Sequence, residues 1–109
     1  MIINFDTIEE TSIPNFYGGN KEVRACMQVD GAVKIMRGIL APGASIGLHT
    51  HETSSEILYA LEGAATVLFD GTDERLDAGM CHYCPKGHSH SLINSGTSDL
   101  VFLAVVPNQ

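Results

Sequence analysis

All five histidines of this 109-residue chain, His49, His51, His82, His88 and His90, fall between residues 49 and 90. Imidazole is the commonest protein metal ligand, and a carboxylate is its frequent companion. On an extended segment His49 and His51 project from the same side, with Cα atoms roughly 6 to 7 Å apart. Two imidazoles so placed can converge on adjacent corners of one ion. Glu56 follows His51 by an odd offset and would face away on an unbroken strand, so a turn or bulge must intervene. The polar run Glu52-Thr53-Ser54-Ser55 is suited to supply it. His88 and His90 repeat the His-x-His spacing, so spacing alone leaves both open as ligands. Cys81-His82-Tyr83-Cys84 has the spacing of a redox or zinc motif. It lies in what reads as a short strand, however, where side chains at i and i+3 point to opposite faces. The thiols are therefore expected to be small buried hydrophobes, and His82 a hydrogen-bonded structural residue.

The elements that must position these residues are short. Apolar or alternating runs cover Val23 to Val29, Ala32 to Leu40, Glu56 to Leu61, Ala65 to Phe69, Met80 to Cys84, Ser89 to Asn94 and Leu100 to Val106. Turn formers punctuate them, with Asp30-Gly31 and Asp70-Gly71 the best tight-hairpin candidates. Many short strands at this spacing predict an all-β sandwich or barrel. Residues 1–20, ending in the turn-rich Ile13-Pro14-Asn15-Phe16-Tyr17-Gly18-Gly19-Asn20, read as an N-terminal arm that packs on the barrel or on a partner subunit. The whole chain, 1–109, reads as one domain. Leu100 to Val106 is apolar at every position, so both faces of that strand should be covered. The inner face meets the barrel interior; the outer one needs the arm or a second subunit, and a homodimer is expected.

Two longer patterns now stand out. Gly43, His49, His51, Glu56 and Gly63 occupy every defined position of the first conserved motif of the cupin family. Gly79, Pro85, Gly87, His90 and Asn94 do the same for the second. The chain thus resembles a small single-domain cupin across residues 43–94. The resemblance implies a double-stranded β-helix, or jelly-roll barrel, with a metal inside its mouth held by His49, His51, Glu56 and His90. It leaves His88 in the turn after Gly87, a rim residue and the one candidate for a substrate-contacting base. Three neutral imidazoles and one carboxylate leave a divalent ion a net positive charge. If six-coordinate, the ion keeps two free positions, which favours Mn, Fe, Co, Ni or Cu over closed tetrahedral Zn.

Cupins include dioxygenases, decarboxylases, lyases and sugar isomerases, and the shared motifs do not separate them. The expected function is metal-dependent action on a small chelating organic molecule. The alternatives are a binding module without turnover and a metal that only staples the barrel. By the same resemblance the strand before Pro42 and the last strand should line the pocket, and period-2 parity selects Met36, Leu40, Phe102 and Ala104. The net charge of −7, with six scattered basic residues among thirteen acidic ones, disfavours nucleic acid. No apolar run approaches the roughly 20 residues of a membrane span. The N-terminal residues lack the basic region and long apolar stretch of a signal peptide, so the cytoplasm is the expected location. Three cysteines argue against a disulfide framework.

Overall fold

Alternating burial is the rule along the strands, and it is clearest where the sequence alternates. In a computed structural model describing residues 1–109, ten strands form: β1 (Thr11–Pro14), β2 (Glu22–Val29), β3 (Val33–Leu40), β4 (Ser45–Thr50), β5 (Glu56–Glu62), β6 (Ala64–Phe69), β7 (Thr72–Asp77), β8 (Cys81–Cys84), β9 (Ser89–Ile93) and β10 (Leu100–Pro107). Six of them make one sheet in the order β1-β2-β3-β10-β5-β8, and four make a second in the order β4-β9-β6-β7. Every paired neighbour is antiparallel. The two sheets close on a shared core of Val23, Met36, Leu40, Leu58, Val67, Leu92, Leu100 and Phe102. This is the all-β jelly-roll expected from the sequence. Each large side chain fully buried there contributes roughly 1.5–3 kcal/mol relative to exposure.

The turns between strands divide the two hairpin candidates. Asp70 and Gly71 both take positive φ, 48° and 84°, and join β6 to β7 with Phe69 paired to Thr72. That is the two-residue turn whose twist matches the flanking strands. Asp30-Gly31 also turns a hairpin, but a wider one: three residues, 30–32, join β2 to β3, and the Asp30 amide donates to the Val33 carbonyl at 3.1 Å. The Asp30 carboxylate accepts from the Ala32 and Val33 amides and closes the wider loop itself.

Residues 1–20 are more ordered than turn formers alone suggest. Residues 5–7 and 16–18 form short 3₁₀ turns, and β1 pairs with β2. Ile13 and Phe16 pack against the core. Asp6 pairs with Arg37 at 2.9 Å, and Cys26 Sγ donates to the Ile8 carbonyl. This segment therefore covers the outside of β2 and β3. Its second turn also crosses β4 at close range. A Cβ on Gly47 would collide with the Tyr17 carbonyl oxygen, and one on Gly19 with that of Ser45. Two glycines thus let backbone approach backbone where Tyr17 meets the site.

On β10, Leu100, Phe102 and Ala104 point inward and are buried, whereas Val101, Leu103 and Val105 face outward and are half-covered. Ladder registry extends that outer face sideways. Val105 lies between Ile35 and Ile57, and Leu103 between Arg37 and Tyr59.

Candidate metal centre

The barrel brings His49, His51, Glu56 and His90 together, with their ligand atoms all within 4.8 Å of one another. His49 sits near the end of β4, directly paired with His90 on β9. A register shift between Ile46 and His49 adjusts its aim. Glu56 opens β5, across the barrel in the other sheet. The interruption expected between His51 and Glu56 is a loop over residues 51–55, which re-aims the carboxylate inward. The loop is fastened by a bridge between Ser54 and Asn108, and by the Ser55 amide donating to the Pro107 carbonyl.

Nδ1 of each imidazole is engaged by a neighbour, which leaves Nε2 facing inward. His49 Nδ1 lies 2.8 Å from the Gly47 carbonyl, an acceptor only, so it must carry the proton. His51 Nδ1 lies 2.8 Å from Ser54 Oγ, and His90 Nδ1 lies 3.1 Å from His82 Nε2. All three Nε2 atoms therefore converge on one another. The separations are 3.2 Å for His49–His51, 2.9 Å for His51–His90 and 3.2 Å for His49–His90. Glu56 Oε1 is 2.8 Å from His90 Nε2, 3.1 Å from His51 Nε2 and 3.9 Å from His49 Nε2. Burial by itself would raise the Glu56 carboxyl; when the imidazoles of His49, His51 and His90 carry a proton on Nε2, their hydrogen bonds to it outweigh burial and hold the group well below the usual carboxylate range.

Behind the cluster, His82 is buried between His90 and Glu74, with Nδ1 3.2 Å from Glu74 Oε1. Burial and the adjacent His90 lower its pKa, opposed by the pull of Glu74. The two thiols face apart and all three cysteines are free: Cys84 is buried as expected, but Cys81 is not, because it stands on the outward face of β8 and is exposed. Burial pushes the Cys84 thiol up to about 11.

A cavity of about 270 Å³ opens onto the four residues. That is just under the roughly 300–1,000 Å³ usual for drug-sized ligands, and suits a smaller molecule. Met36 lines it, as parity indicated. Leu40, Phe102 and Ala104 do not: all three are fully buried in the core, with the Phe102 ring set against Gly38. Parity selects the face of a strand but not the depth along it, and these residues fill the closed half of the barrel. His88 lies outside the cavity, half exposed, paired with Asp70 and stacked on Phe69. Arg24 and Arg37 point away, toward Glu10, Asp99 and Asp6.

Among the cavity residues that motif and parity do not point to, three bear on chemistry. Tyr17 stacks on the His49 ring with centroids 4.1 Å apart, held there by a backbone with φ of 51°. Lys34 stands at the wall with its ammonium 5.7 Å above the Phe16 ring. It shares parity with Met36 two positions on, a signal that extending the inward face of β3 toward the mouth would have caught. Glu52, exposed in the 51–55 loop, is the third.

A jelly-roll with inward histidines and a glutamate at one mouth defines a class, and comparison with known proteins agrees. Residues 36–106 match the cupin domain family, and the chain belongs to it. It is 36% identical to an oxalate-binding protein of Thermotoga maritima over 97% of this chain and 93% of that one. The crystal structure of a predicted oxalate decarboxylase, also from Thermotoga maritima, superposes with a TM-score of 0.94 at 34% identity, covering 100% of both chains. An RmlC-like cupin from Shewanella frigidimarina has a TM-score of 0.80 at 17% identity, over 98% of this chain and 89% of that one, which shows a shared fold.

Proposed function

We propose that the chain holds one divalent transition metal through His49, His51, Glu56 and His90, and there binds a small chelating carboxylate of the oxalate type. The observation that carries this reading is the pattern of donor separations. Around an octahedral ion with bonds of about 2.1 Å, cis donors lie about 3.0 Å apart and trans donors about 4.2 Å; around a tetrahedral ion all lie about 3.4 Å apart. Five of the six separations here are 2.8–3.2 Å, and the sixth, His49 to Glu56, is 3.9 Å. These separations would suit a six-coordinate ion held by the four side chains, with two positions left for other ligands. That favours Mn, Fe, Co, Ni or Cu over Zn. Repulsion between these convergent donor atoms would be offset by a cation among them.

When bound, the ion supplies a Lewis-acidic centre for two oxygens of one ligand. The protein supplies the rest. Met36, Ile46 and Leu58 form an apolar floor, and the Lys34 ammonium offers a second positive charge at the wall. The relatives' oxalate associations suit a dianion meeting both charges. Calorimetry of Mn- or Co-loaded protein should therefore show saturable oxalate binding that exceeds acetate binding. Lys34→Met should weaken oxalate while leaving metal content unchanged; no oxalate binding at all would refute the reading.

A second reading, turnover of the bound acid, has Glu52 in its favour, since its side chain at the cavity wall can hold or deliver a proton near a ligand. Carbon dioxide release or dioxygen uptake that is lost in Glu52→Gln would select it. We further propose a homodimer formed through the outer face of the six-stranded sheet. Residues 1–20 leave Val101, Leu103 and Val105 half-covered there, beside the exposed Ile57, Tyr59 and Tyr83. Cytoplasmic placement rests on the sequence, with three unpaired cysteines in keeping with a reducing compartment; no helix is long and apolar enough to cross a membrane.

A further inference from the structure

Of the histidines outside the four-residue cluster, His82 is the buried one, with a side chain 6% exposed. It stands on β8 at the edge of the six-stranded sheet and reaches Glu74 on β7, at the edge of the four-stranded sheet. Glu74 shares the inward parity of the buried Leu76, yet its side chain is 49% exposed, so one end of this contact is wet. The other end is His90 Nδ1, 3.1 Å from His82 Nε2.

We propose that His82 and Glu74 are positioning residues for His90, forming a directed chain Glu74–His82–His90 that ends at the lone pair His90 offers to a metal. Proton counting carries the argument. A neutral imidazole has one N–H. For His90 to present a bare Nε2, its proton must sit on Nδ1, facing His82 Nε2. His82 must then accept at Nε2, which moves its own proton to Nδ1. There the partner is Glu74 Oε1 at 3.2 Å, a carboxylate that can only accept. The opposite His82 tautomer would set two N–H groups head to head and leave its Nδ1 lone pair against a carboxylate. Phe69 lies edge-on to His82 at 5.2 Å and shields the chain on one side. A carboxylate acting through an imidazole in this way fixes ring orientation and raises donor strength.

His82, Cys84 and His90 are also close enough to be considered a metal site of their own. That arrangement would require His90 Nδ1 as a ligand, the atom the chain uses as a donor.

The inference rests on the metal reading, so the experiment separates the two. In two-bond ¹H–¹⁵N spectra of the full, zinc-loaded chain, His90 Nε2 should be metal-shifted, and His90 and His82 should both be Nδ1–H tautomers. Zinc bound with His82 as the Nε2–H tautomer, or with a second equivalent on Cys84, overturns the chain alone. An unshifted His90 Nε2 overturns the metal reading and the chain together. Chelator competition supplies the functional readout. His82→Leu should weaken metal binding roughly tenfold to a hundredfold. His82→Gln, whose amide oxygen can accept where Nε2 did, should recover most of that, and Glu74→Gln should show a smaller loss. Equal losses in the Leu and Gln variants would mark His82 as packing only and refute the proposal. If His82→Leu does not fold, unchanged affinity in Glu74→Gln together with the wrong tautomer refutes it instead.

Discussion

Removing His51 tests the metal centre most directly, because it takes away a donor from the middle of the cluster without touching a strand. Binding to the folded state alone stabilises it by about 2.7 kcal/mol at a hundred times Kd. Unfolding entropy of about 2.1 cal/mol/K per residue over 109 residues gives about 0.23 kcal/mol/K. Metal added to chelator-stripped protein at that level should therefore raise Tm by about 12 °C. His51 lies 2.9 Å and 3.1 Å from two of the other donor atoms, so no neighbour can swing in to replace it without leaving its own hydrogen bond. If His51→Ala loses affinity about a hundredfold, the same metal concentration leaves about 0.4 kcal/mol, or roughly 2 °C. Thermal melts with Mn, Co and Ni, paired with metal analysis of the dialysed protein, would read both quantities. His88→Ala is the control and should keep the full shift, since His88 is tied to Asp70 outside the cavity. A His51→Ala protein that keeps its metal and its 12 °C shift would refute the ligand assignment.

Phe102→Ala should cost about 3–5 kcal/mol of stability in urea melts while leaving metal and oxalate affinities unchanged, whereas Met36→Ala should alter which acids bind; an oxalate effect at Phe102 alone would contradict the cavity boundaries. Because burial raises the Cys84 thiol from its ordinary 9.0 to about 11, the folded state holds its proton more tightly than the unfolded one. Stability from this group is present below pH 9 and lost as pH rises toward 11, so urea midpoints should fall across that window and fall less in Cys84→Ala. Light scattering should give twice the chain mass, and Leu103→Lys should yield monomers that still bind metal; a wild-type monomer would remove the dimer proposal.

The fold class was legible because strand alternation and turn residues act locally, and the cluster because its donors fall in two short segments with defined spacing. β7 was not read as a strand: Thr72, Asp73, Glu74 and Arg75 are all exposed and polar, and only Leu76 is buried. β1 was hidden for a related reason, as an edge strand with one half-buried residue, Ile13. Pocket depth was illegible too. Leu40 and Met36 share a face, and only the closing of the barrel decides that one caps its floor while the other meets the cavity. The role of His82 lay beyond any spacing rule. His90 is eight residues away and Glu74 is eight the other way, and the three meet because two sheet edges come together.

The placement of β10 bears on how the chain is made. Residues 100–107 form the last strand in sequence, yet they lie between β3 and β5 in the middle of the larger sheet. As the chain emerges from a ribosome, β3 and β5 are complete while the slot between them stays empty. At roughly 5–20 residues per second the wait from residue 62 to residue 100 is about 2 to 8 s. Throughout it, two apolar strands present unpaired edges, the geometry that invites pairing with another nascent chain. Synthesis rate and chaperone capture over those seconds should therefore affect yield in a way that the equilibrium stability of the finished barrel does not report.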